Sequence, residues 1–382
     1  MMKIAIINPW FVSKDSIGGT ERFVQDLAIS LSRLNNDVDV YMLSGKSYKN
    51  GKINYISLNL FGKSVIADEY MIANKYGKLD NYDSYIRIAT EIESKINIEK
   101  YDFIQLNSHL FLKCWENKKR IFTLHSNYEE FMVLGSEEEF KVMISIMKNV
   151  NSNLTKFVSP SEFYSLKWSN LINQNVICIP HALNRERLIC DENKSELLKK
   201  YNVNETLIKI LLPSRLEMIQ KRPDLILNAM AILDKKIRKK FQVIFTGLDS
   251  QYDSNIKLLN NLAIQNDINV KFIQFTEICE GYKIADIVLI PSKSESFGYS
   301  ALESLSLGIT TLLSRIPSLQ EIVTGNSSGI IFGNNSHELA NVLEKIIEDG
   351  NIKKNLVTDL WLEKYDLIKF AERYIEVFYE KE

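Results

Sequence analysis

The chain has 382 residues, with 47 lysines and arginines against 48 aspartates and glutamates, which gives a net charge of −1 at pH 7. Hydrophobic residues make up 45% and charged residues 25%, which excludes a disordered chain, a collagen-like repeat and a coiled-coil rod. The near-zero charge gives no support to nucleic-acid binding, which requires an excess of cations. The length predicts more than one domain, since single cores stop growing at about 250–300 residues.

The cysteines and the N-terminus indicate the compartment. The four cysteines form no CxxC pair and fit neither a zinc site nor a disulfide framework, so buried thiols in a reducing compartment are expected. The N-terminus lacks the charged start, long apolar core and cleavage site of a signal peptide. No stretch reaches the roughly 18 apolar residues of a spanning helix. The sequence predicts a cytoplasmic protein whose contact with a membrane is at most peripheral.

Short apolar strands alternate with helical segments in the first half of the chain, which is typical of α/β domains. The predicted strands cover residues 3–8, 38–43, 102–106, 120–124, 155–159 and 176–179. After the first strand, Phe23, Leu27 and Leu31 recur at helical spacing. Strands that are apolar on both faces imply a parallel sheet covered by helices on both sides. Residues 58–100, rich in Tyr and Asp, predict no definite element.

The same pattern restarts near residue 208, after a polar connection at residues 183–205. Predicted strands lie at 208–212, 241–246, 269–274 and 286–290, predicted helices at 223–234, 279–285 and 299–307, and a long amphipathic segment at 355–381. The fold class predicted is α/β, with two Rossmann-like domains facing a cleft. The expected domains are residues 1–185, with a C-terminal helix at 362–382 packing back on them, and residues 186–361.

The segment IPSKSESFGYSALE, residues 290–303, is the most specific in the chain. A predicted strand ends there, a polar loop follows, and a helix begins near Tyr299. Ligands of open parallel sheets bind beyond the carboxyl ends of the strands, and a helix N-terminus suits a phosphate. Glu295 in the loop and Glu303 one turn into the helix could meet ligand hydroxyls. The spacing alone is more typical of two solvated surface carboxylates.

Four motifs in order carry a resemblance to a known family. They are GGTERFVQDLAISL, LPSRLEMIQKRPDLILNAM, VIFTG with IADIVLIPS, and PSKSESFGYSALESLSLG. The chain resembles the retaining glycosyltransferases of the GT-B fold, family 4 type. The resemblance implies transfer of a sugar from a nucleoside diphosphate sugar, most frequently a UDP-sugar, to an acceptor hydroxyl, with no metal and no cofactor. It also implies donor binding by Glu295, Ser296, Phe297, Gly298 and Glu303.

Two cations and two glycines extend the expected donor site. Arg215 and Lys221 follow the strand that opens the second domain, where a guanidinium fork and a point charge could clamp a diphosphate. The resemblance implies that they stabilise the leaving nucleoside diphosphate; the alternative is an ordinary basic loop. Gly18 and Gly19 allow close backbone approach and a positive φ. The resemblance implies that this loop contacts the donor phosphate and sugar, and the alternative is a structural turn.

The histidines differ in their expected roles. His125 ends a predicted strand, and the resemblance implies that it bonds the sugar near the reaction centre. With Arg215, Lys221 and Glu295 it makes up the expected catalytic set. His109 is a weaker candidate for acceptor contact. His181 stands where relatives have Asn-Gly, so no role is carried over to it.

The sequence Asp37-Val38-Asp39 matches the DxD motif with which the other large glycosyltransferase fold holds a metal. It begins a predicted strand at the edge of a turn, so we interpret it as two turn carboxylates, and no grouping of histidines and carboxylates predicts a metal site. The chain also lacks glycines that relatives have near Pro317, which predicts a stiffer and bulkier loop beside the donor.

Two other functions remain open on the sequence. One is a different enzyme of the same fold, such as a nucleotide-sugar epimerase or a phosphorylase-like enzyme. The other is a non-catalytic glycosyltransferase-like subunit that only binds. The acceptor is not identified: a glycan, a glycolipid and a small molecule, in bacterial-type polysaccharide, glycolipid or glycoside biosynthesis, all fit.

Overall fold

The computed structural model describes residues 1–13, 18–62, 67–125, 136–350, 352 and 356–380. The chain divides into two units, residues 1–183 with 364–382 and residues 184–363. Each unit contains one sheet with helices packed on its faces. Within the described ranges, no helix has both the length and the apolar character needed to cross a lipid bilayer.

The two sheets are formed by fourteen described strands. They are β1 (Lys3–Asn8), β2 (Asp37–Met42), β3 (Tyr48–Asn50), β4 (Ile53–Ser57), β5 (Phe103–Leu106), β6 (Arg120–Thr123), β7 (Thr155–Ser159), β8 (Val176–Cys178), β9 (Ile208–Leu212), β10 (Phe241–Phe245), β11 (Val270–Phe272), β12 (Ile287–Ile290), β13 (Thr310–Ser314) and β14 (Gly329–Phe332).

Helices follow most of these strands. Those described are α1 (Gly19–Arg33), α2 (Glu69–Tyr76), α3 (Tyr82–Lys95), α4 (Glu137–Lys148), α5 (Glu162–Ile172), α6 (Lys194–Lys200), α7 (Asp224–Ile232), α8 (Lys235–Arg238), α9 (Asp253–Gln265), α10 (Ile278–Ile284), α11 (Tyr299–Ser306), α12 (Pro317–Val323), α13 (Ser336–Asp349), α14 (Asp359–Glu363) and α15 (Leu367–Tyr379).

The first unit has an eight-stranded sheet in the order β3-β4-β2-β1-β5-β6-β7-β8, parallel except for β3 against β4. Side chains of β1 alternate between two cores, because successive residues of a strand point to opposite faces. Ile4 and Ile6 pack under α1 and α15, whereas Ala5 and Ile7 pack under α2 to α5. The C-terminal helix α15 therefore belongs to the core of the first unit.

The second unit has a fully parallel six-stranded sheet in the order β11-β10-β9-β12-β13-β14. The central strand β9 pairs with β10 on one side and β12 on the other, with Ile210 opposite Ile287. The strand order thus reverses between β9 and β12. In open α/β sheets, the crevice at such a reversal is where ligands bind.

The sequence prediction omitted β13, β14, α9, α12 and α13 of the second unit, and the structure differs from it in two further regions. Residues 48–100 contain β3, β4, α2 and α3, none of which the sequence predicted. The segment expected to be amphipathic over 355–381 is split into α14 and α15. Trp361 of α14 donates its indole N–H to the Ile322 carbonyl of the second unit, at 2.9 Å. Asp366 then caps α15 by accepting from two backbone N–H groups.

Candidate functional site

The predicted cations and the loop glutamate follow the two strands at which the order of the second sheet reverses. Arg215 and Lys221 lie in the loop after β9, and Glu295 lies in the loop after β12. Because the carboxyl ends of parallel strands meet at one edge of the sheet, the two loops are neighbours. Their backbones are joined by a hydrogen bond from Lys293 N–H to the Gln220 carbonyl, at 2.7 Å.

Glu295 is held from three directions. Its Oε1 lies 2.6 Å from Lys221 Nζ and accepts a hydrogen bond from Ser292 Oγ at 2.7 Å. Its backbone carbonyl accepts from Ser318 Oγ at 2.6 Å, so α12 also fixes this loop. Its other carboxylate oxygen, Oε2, accepts no hydrogen bond from any residue in the described ranges. One face of the carboxylate is therefore positioned and the other can receive a ligand hydroxyl.

The loop after β9 is folded around Glu217. This side chain accepts hydrogen bonds from the backbone N–H groups of Ile219, at 2.7 Å, and of Gln220. Lys221 is thereby directed at Glu295. Arg215 is exposed and has no ion pair or hydrogen bond with any other described residue. Its guanidinium is available for an anion.

Gly247 sets the position of Arg215. Its φ is +67°, and a Cβ added there would lie 2.5 Å from the Ser214 carbonyl oxygen and 2.9 Å from the Arg215 Cα. Only glycine lets the chain leaving β10 approach the loop after β9 so closely. The neighbouring Thr246 donates its hydroxyl to the Leu212 carbonyl at 3.1 Å.

The segment from Ser296 to Gly298 leads directly into α11. Gly298 is the residue before the helix, with a φ of +113°, and an added Cβ would lie 2.7 Å from Leu319 Cδ2. Ser296 is half-buried, whereas the Phe297 side chain lies in the core, so Phe297 can meet a ligand only through its backbone. Ser300 Oγ donates to the Pro213 carbonyl at 3.0 Å, which ties the helix N-terminus to the loop after β9. A helix N-terminus beside two cations favours an anionic ligand.

Glu303 lies on α11, one turn beyond that N-terminus, and is only 4% exposed. Tyr282 of α10 donates its hydroxyl to Glu303 Oε2 at 2.7 Å. Burying a carboxylate is costly unless it is hydrogen-bonded. The tyrosine therefore stabilises Glu303 and fixes its orientation.

In the first unit, the glycine pair lies at the start of α1. Gly18 precedes the helix with a φ of −68°, and its carbonyl accepts from Arg22 N–H at 3.0 Å. The expected use of a positive φ is therefore wrong at Gly18. A Cβ there would meet the end of the Glu21 side chain, which is flexible and can move aside, so the structure of this unit does not itself require glycine at this position. Gly19 is the first residue of α1 and is exposed.

His125 lies two residues beyond β6 and is half-buried. Its Nε2 is 3.3 Å from Asn107 Oδ1, and its ring packs edge-on against Phe23 with centroids 4.5 Å apart. Burial lowers the pKa of His125 to about 3. The ring is therefore neutral at physiological pH and can act as a hydrogen-bonding group.

Two other histidines lie in the same unit. His181 is 4% exposed and its ring centroid is 5.7 Å from that of His125. Burial, reinforced by His125, lowers the pKa of His181 well below its ordinary value. His109 begins a short 3₁₀ helix after β5, and burial lowers its pKa to about 4. The structure thus places His181, for which no role was predicted, against His125.

The Asp37-Val38-Asp39 segment lies in β2, so the expected pair of turn carboxylates is wrong for Asp39. This residue is the third of the strand and is 6% exposed. Its Oδ1 accepts from Asn54 Nδ2 at 2.7 Å and its Oδ2 accepts from the Tyr101 hydroxyl. Asp39 therefore belongs to a buried polar network of the sheet. The part of the chain that the structure describes contains no group of three or more His, Cys, Asp or Glu able to hold a metal ion.

Several residues that shape these sites escaped prediction from the sequence. They are Gly247, Tyr282, Ser292 and Ser318 in the second unit and Asn107 in the first. Gly247 ends the apolar run VIFTG, so its position after a strand was a usable signal. Nothing local in the sequence distinguishes Tyr282 or Ser318, because their partners lie 21 and 23 residues away. Ser292 lies only three residues before its partner Glu295, so the segment IPSKSE contained a usable signal for it.

Comparison with known proteins gives a family match over part of the chain and distant relatives over most of it. The family model "Glycosyl transferases group 1" matches residues 193–359. An uncharacterized 41.2 kDa protein in the cps region of Klebsiella pneumoniae is 20% identical over 90% of this chain and 93% of its own length. The D-inositol 3-phosphate glycosyltransferase of Thermobifida fusca is 28% identical over 43% of this chain and 40% of its own.

Solved structures show the same fold over almost the whole chain. Sucrose-phosphate synthase from Thermosynechococcus elongatus matches with a TM-score of 0.78 and 17% identity, covering 99% of this chain and 98% of its own. Anabaena HepE, solved in complex with UDP-glucose, matches with a TM-score of 0.71 and 16% identity, covering 99% of both chains. The family model thus covers a stretch that lies in the second unit, and the whole chain shares its fold of two parallel-sheet α/β domains with GT-B glycosyltransferase structures.

Proposed function

We propose that the protein is a retaining, metal-independent glycosyltransferase of the family 4 type that moves a sugar from a nucleoside diphosphate sugar to an acceptor hydroxyl. One observation carries the proposal: Arg215, Lys221 and Glu295 follow the two strands between which the order of the second sheet reverses. Cations at that edge beside a helix N-terminus suit a diphosphate. A carboxylate with one oxygen free to accept suits sugar hydroxyls.

The roles follow from the contacts. Arg215 and Lys221 bind the diphosphate and stabilise the charge that develops on it as the sugar departs. Glu303, fixed by Tyr282, bonds the ribose hydroxyls of the nucleoside. Glu295 faces the transferred sugar, while its ion pair with Lys221 keeps its negative charge from repelling the diphosphate.

We place the reaction chemistry at the leaving phosphate. In a front-face substitution, the departing phosphate oxygen takes the proton of the acceptor hydroxyl. The sugar keeps its anomeric configuration because the acceptor attacks from the side that the phosphate leaves. Arg215 and Lys221 are then the residues whose charge lowers the barrier, and His125 bonds a hydroxyl of the sugar.

UDP is the proposed nucleotide. HepE, which shares the fold, has been solved with UDP and with UDP-glucose. The acceptor is a hydroxyl of a glycan, a glycolipid or a small molecule.

A thermal-shift panel of nucleotides and nucleotide sugars, followed by acceptor screening, tests the proposal. We expect UDP and one UDP-sugar to raise Tm, and transfer with retained anomeric configuration to persist in saturating EDTA. Loss of transfer in EDTA with rescue by Mn²⁺ would contradict metal independence. Conversion of the donor without any acceptor would instead indicate an epimerase, and binding without turnover for every acceptor tried would indicate a non-catalytic subunit.

A further inference from the structure

A chain of hydrogen-bonded side chains leads from the C-terminal helix to His125. The Tyr374 hydroxyl on α15 lies 3.0 Å from Thr123 Oγ1 on β6. Gln105 on β5 donates from Nε2 to Thr123 Oγ1 at 2.7 Å and to Asn107 Oδ1 at 3.2 Å. Asn107 Oδ1 lies 3.3 Å from His125 Nε2. Except for His125, these residues are at least 97% buried, so their hydrogen bonds are made within the protein.

A backbone carbonyl fixes the direction of the hydrogen bonds at Asn107. Asn107 Nδ2 donates to the Ile7 carbonyl at 3.2 Å, and the Asn107 backbone N–H donates to the same oxygen at 3.1 Å. A carbonyl can only accept, so the amide nitrogen must face Ile7 and Oδ1 must face His125. The Gln105 amide group, which donates to Oδ1, requires the same orientation.

The orientation of Asn107 determines which nitrogen of His125 carries the proton. Asn107 Oδ1 has no hydrogen to donate, so the bond to His125 requires a proton on Nε2. A neutral imidazole has one proton, and the His125 ring, whose pKa is lowered to about 3, is neutral at physiological pH. Nδ1 is then an acceptor with a lone pair.

We propose that Asn107 is a positioning residue that fixes His125 as the Nε2–H tautomer, so that Nδ1 accepts a hydrogen bond from a substrate hydroxyl. The consequence for the substrate class rests on the proposed function. If Nδ1 accepts a hydrogen bond, His125 favours a sugar position that bears a hydroxyl group. A carbonyl or phosphate at that position is disfavoured, because its oxygens need a hydrogen-bond donor from the protein. The tautomer itself does not depend on any activity.

Long-range ¹H–¹⁵N spectra of the protein labelled in its four histidines test the tautomer directly. His125→Gln identifies the signals of His125. At pH 7 we expect His125 to show a protonated Nε2 and an unprotonated Nδ1. The reverse tautomer in the wild-type protein overturns the proposal, and this outcome needs no folded variant.

Two variants test the role of Asn107. Asn107→Leu keeps the size of the side chain but removes the acceptor, and we expect the His125 signals to move towards a mixture of tautomers. Tyr374→Phe serves as the control, because it removes only the hydroxyl that bonds Thr123, at the end of the hydrogen-bond network farthest from His125. It should leave the tautomer unchanged, because the Ile7 carbonyl still orients Asn107. An unchanged Nε2–H tautomer in Asn107→Leu would show that Asn107 does not fix it.

Kinetics with an identified donor and acceptor separate this inference from the proposed function. Asn107→Leu should lower kcat/KM about tenfold, in proportion to one hydrogen bond, and leave the affinity for the free nucleoside diphosphate unchanged. If the tautomer changes and no transferase activity exists for any donor, the proposed function fails while the positioning role of Asn107 stands. If transfer is found and Asn107→Leu retains full kcat/KM, the substrate role of Nδ1 is wrong.

Discussion

In both units the strand order reverses beside a central strand, between β1 and β5 in the first and between β9 and β12 in the second. The residues that follow these strands differ in kind. In the second unit they include Arg215 and the Lys221–Glu295 ion pair. In the first, Asn107 follows β5, and it is hydrogen-bonded to the neutral His125, which follows the next strand of the sheet, β6. The same strand arrangement can therefore present charges for a diphosphate or uncharged groups for hydroxyls, depending on the loops alone.

The cations of the second unit should carry the largest effect. Arg215→Ala and Lys221→Ala should each raise the free-energy barrier by about 2–4 kcal/mol, because each removes a positive charge that we place at the leaving phosphate. This corresponds to a decrease in kcat/KM of roughly 30- to 900-fold. Arg222→Ala is the matched control: this neighbouring cation donates to the Asn334 carbonyl, and it should retain most activity. A variant of Arg215 or Lys221 with wild-type kcat/KM would remove that residue from the site.

Strand ends explain why this part of the site could be predicted. Apart from Lys209, the residues of β9 and β12 are apolar, so the sequence marks the ends of these strands, and Arg215 and Glu295 lie in the loops that follow. The helix α1 was predicted for a similar reason, since Phe23 and Leu27 mark one buried stripe. By contrast, the edge strand β3 has two exposed residues in three and carries no such pattern.

Contacts between distant residues could not be predicted. Thr123 and Tyr374 are 251 positions apart, and Asn107 meets the Ile7 carbonyl across 100 positions. Which polar groups meet in such pairs depends on how helices pack on the sheet, and spacing in one sequence does not contain that information. At Asp39, the local sequence matches a motif known for metal binding, but the carboxylate accepts hydrogen bonds from Tyr101 and Asn54, which are distant in sequence.

The two glutamates of the second unit should separate in binding. Glu303→Gln should weaken binding of the free nucleoside diphosphate and of the intact donor by about 1.5–3 kcal/mol, because it removes a charged acceptor from the nucleoside. Glu295→Gln should leave the affinity for the free nucleoside diphosphate nearly unchanged and lower turnover of the intact donor. Isothermal titration of both ligands on both variants measures the difference. Equal losses for the free diphosphate would contradict this division of roles.

Gly247 allows the placement of Arg215 to be tested apart from its charge. Gly247→Ala and Gly350→Ala both place alanine at a positive φ, +67° and +61°, at a cost of about 1–2 kcal/mol in unfolding free energy. Of the two, Gly247 approaches the Arg215 loop, whereas an added Cβ at Gly350 meets no atom of the described residues within 4 Å. We therefore expect both variants to lose stability and only Gly247→Ala to lose about tenfold or more in kcat/KM. Similar activity in the two would mean that the close approach does not position Arg215.

The neutral histidines of the first unit should make the free energy of unfolding depend on pH in the acid range. Burial lowers the pKa of His109 to about 4 and of His125 to about 3, and lowers that of His181 well below its ordinary value. Below pH 6.5 the unfolded chain binds protons that the folded protein does not, so stability rises with pH in this range and falls on acidification. Each such histidine contributes at most about 1.4 kcal/mol per pH unit between about 6.5 and its folded pKa.

Urea unfolding at pH 7 and pH 5 measures this dependence. His181→Gln should reduce the loss of unfolding free energy between the two pH values, whereas His337→Gln, at an exposed position, should leave it unchanged. If His181→Gln and the wild-type protein lose the same amount, His181 is not kept neutral by the fold.

The most direct test of the central claim is a crystal structure with the nucleoside diphosphate that binds most tightly in the thermal-shift panel. We predict that its phosphate oxygens lie within hydrogen-bond distance of Arg215 and Lys221 and that its ribose hydroxyls meet Glu303. A nucleotide bound elsewhere, with Arg215 still exposed and without a partner, would contradict the assignment of the donor site to the carboxyl ends of β9 and β12.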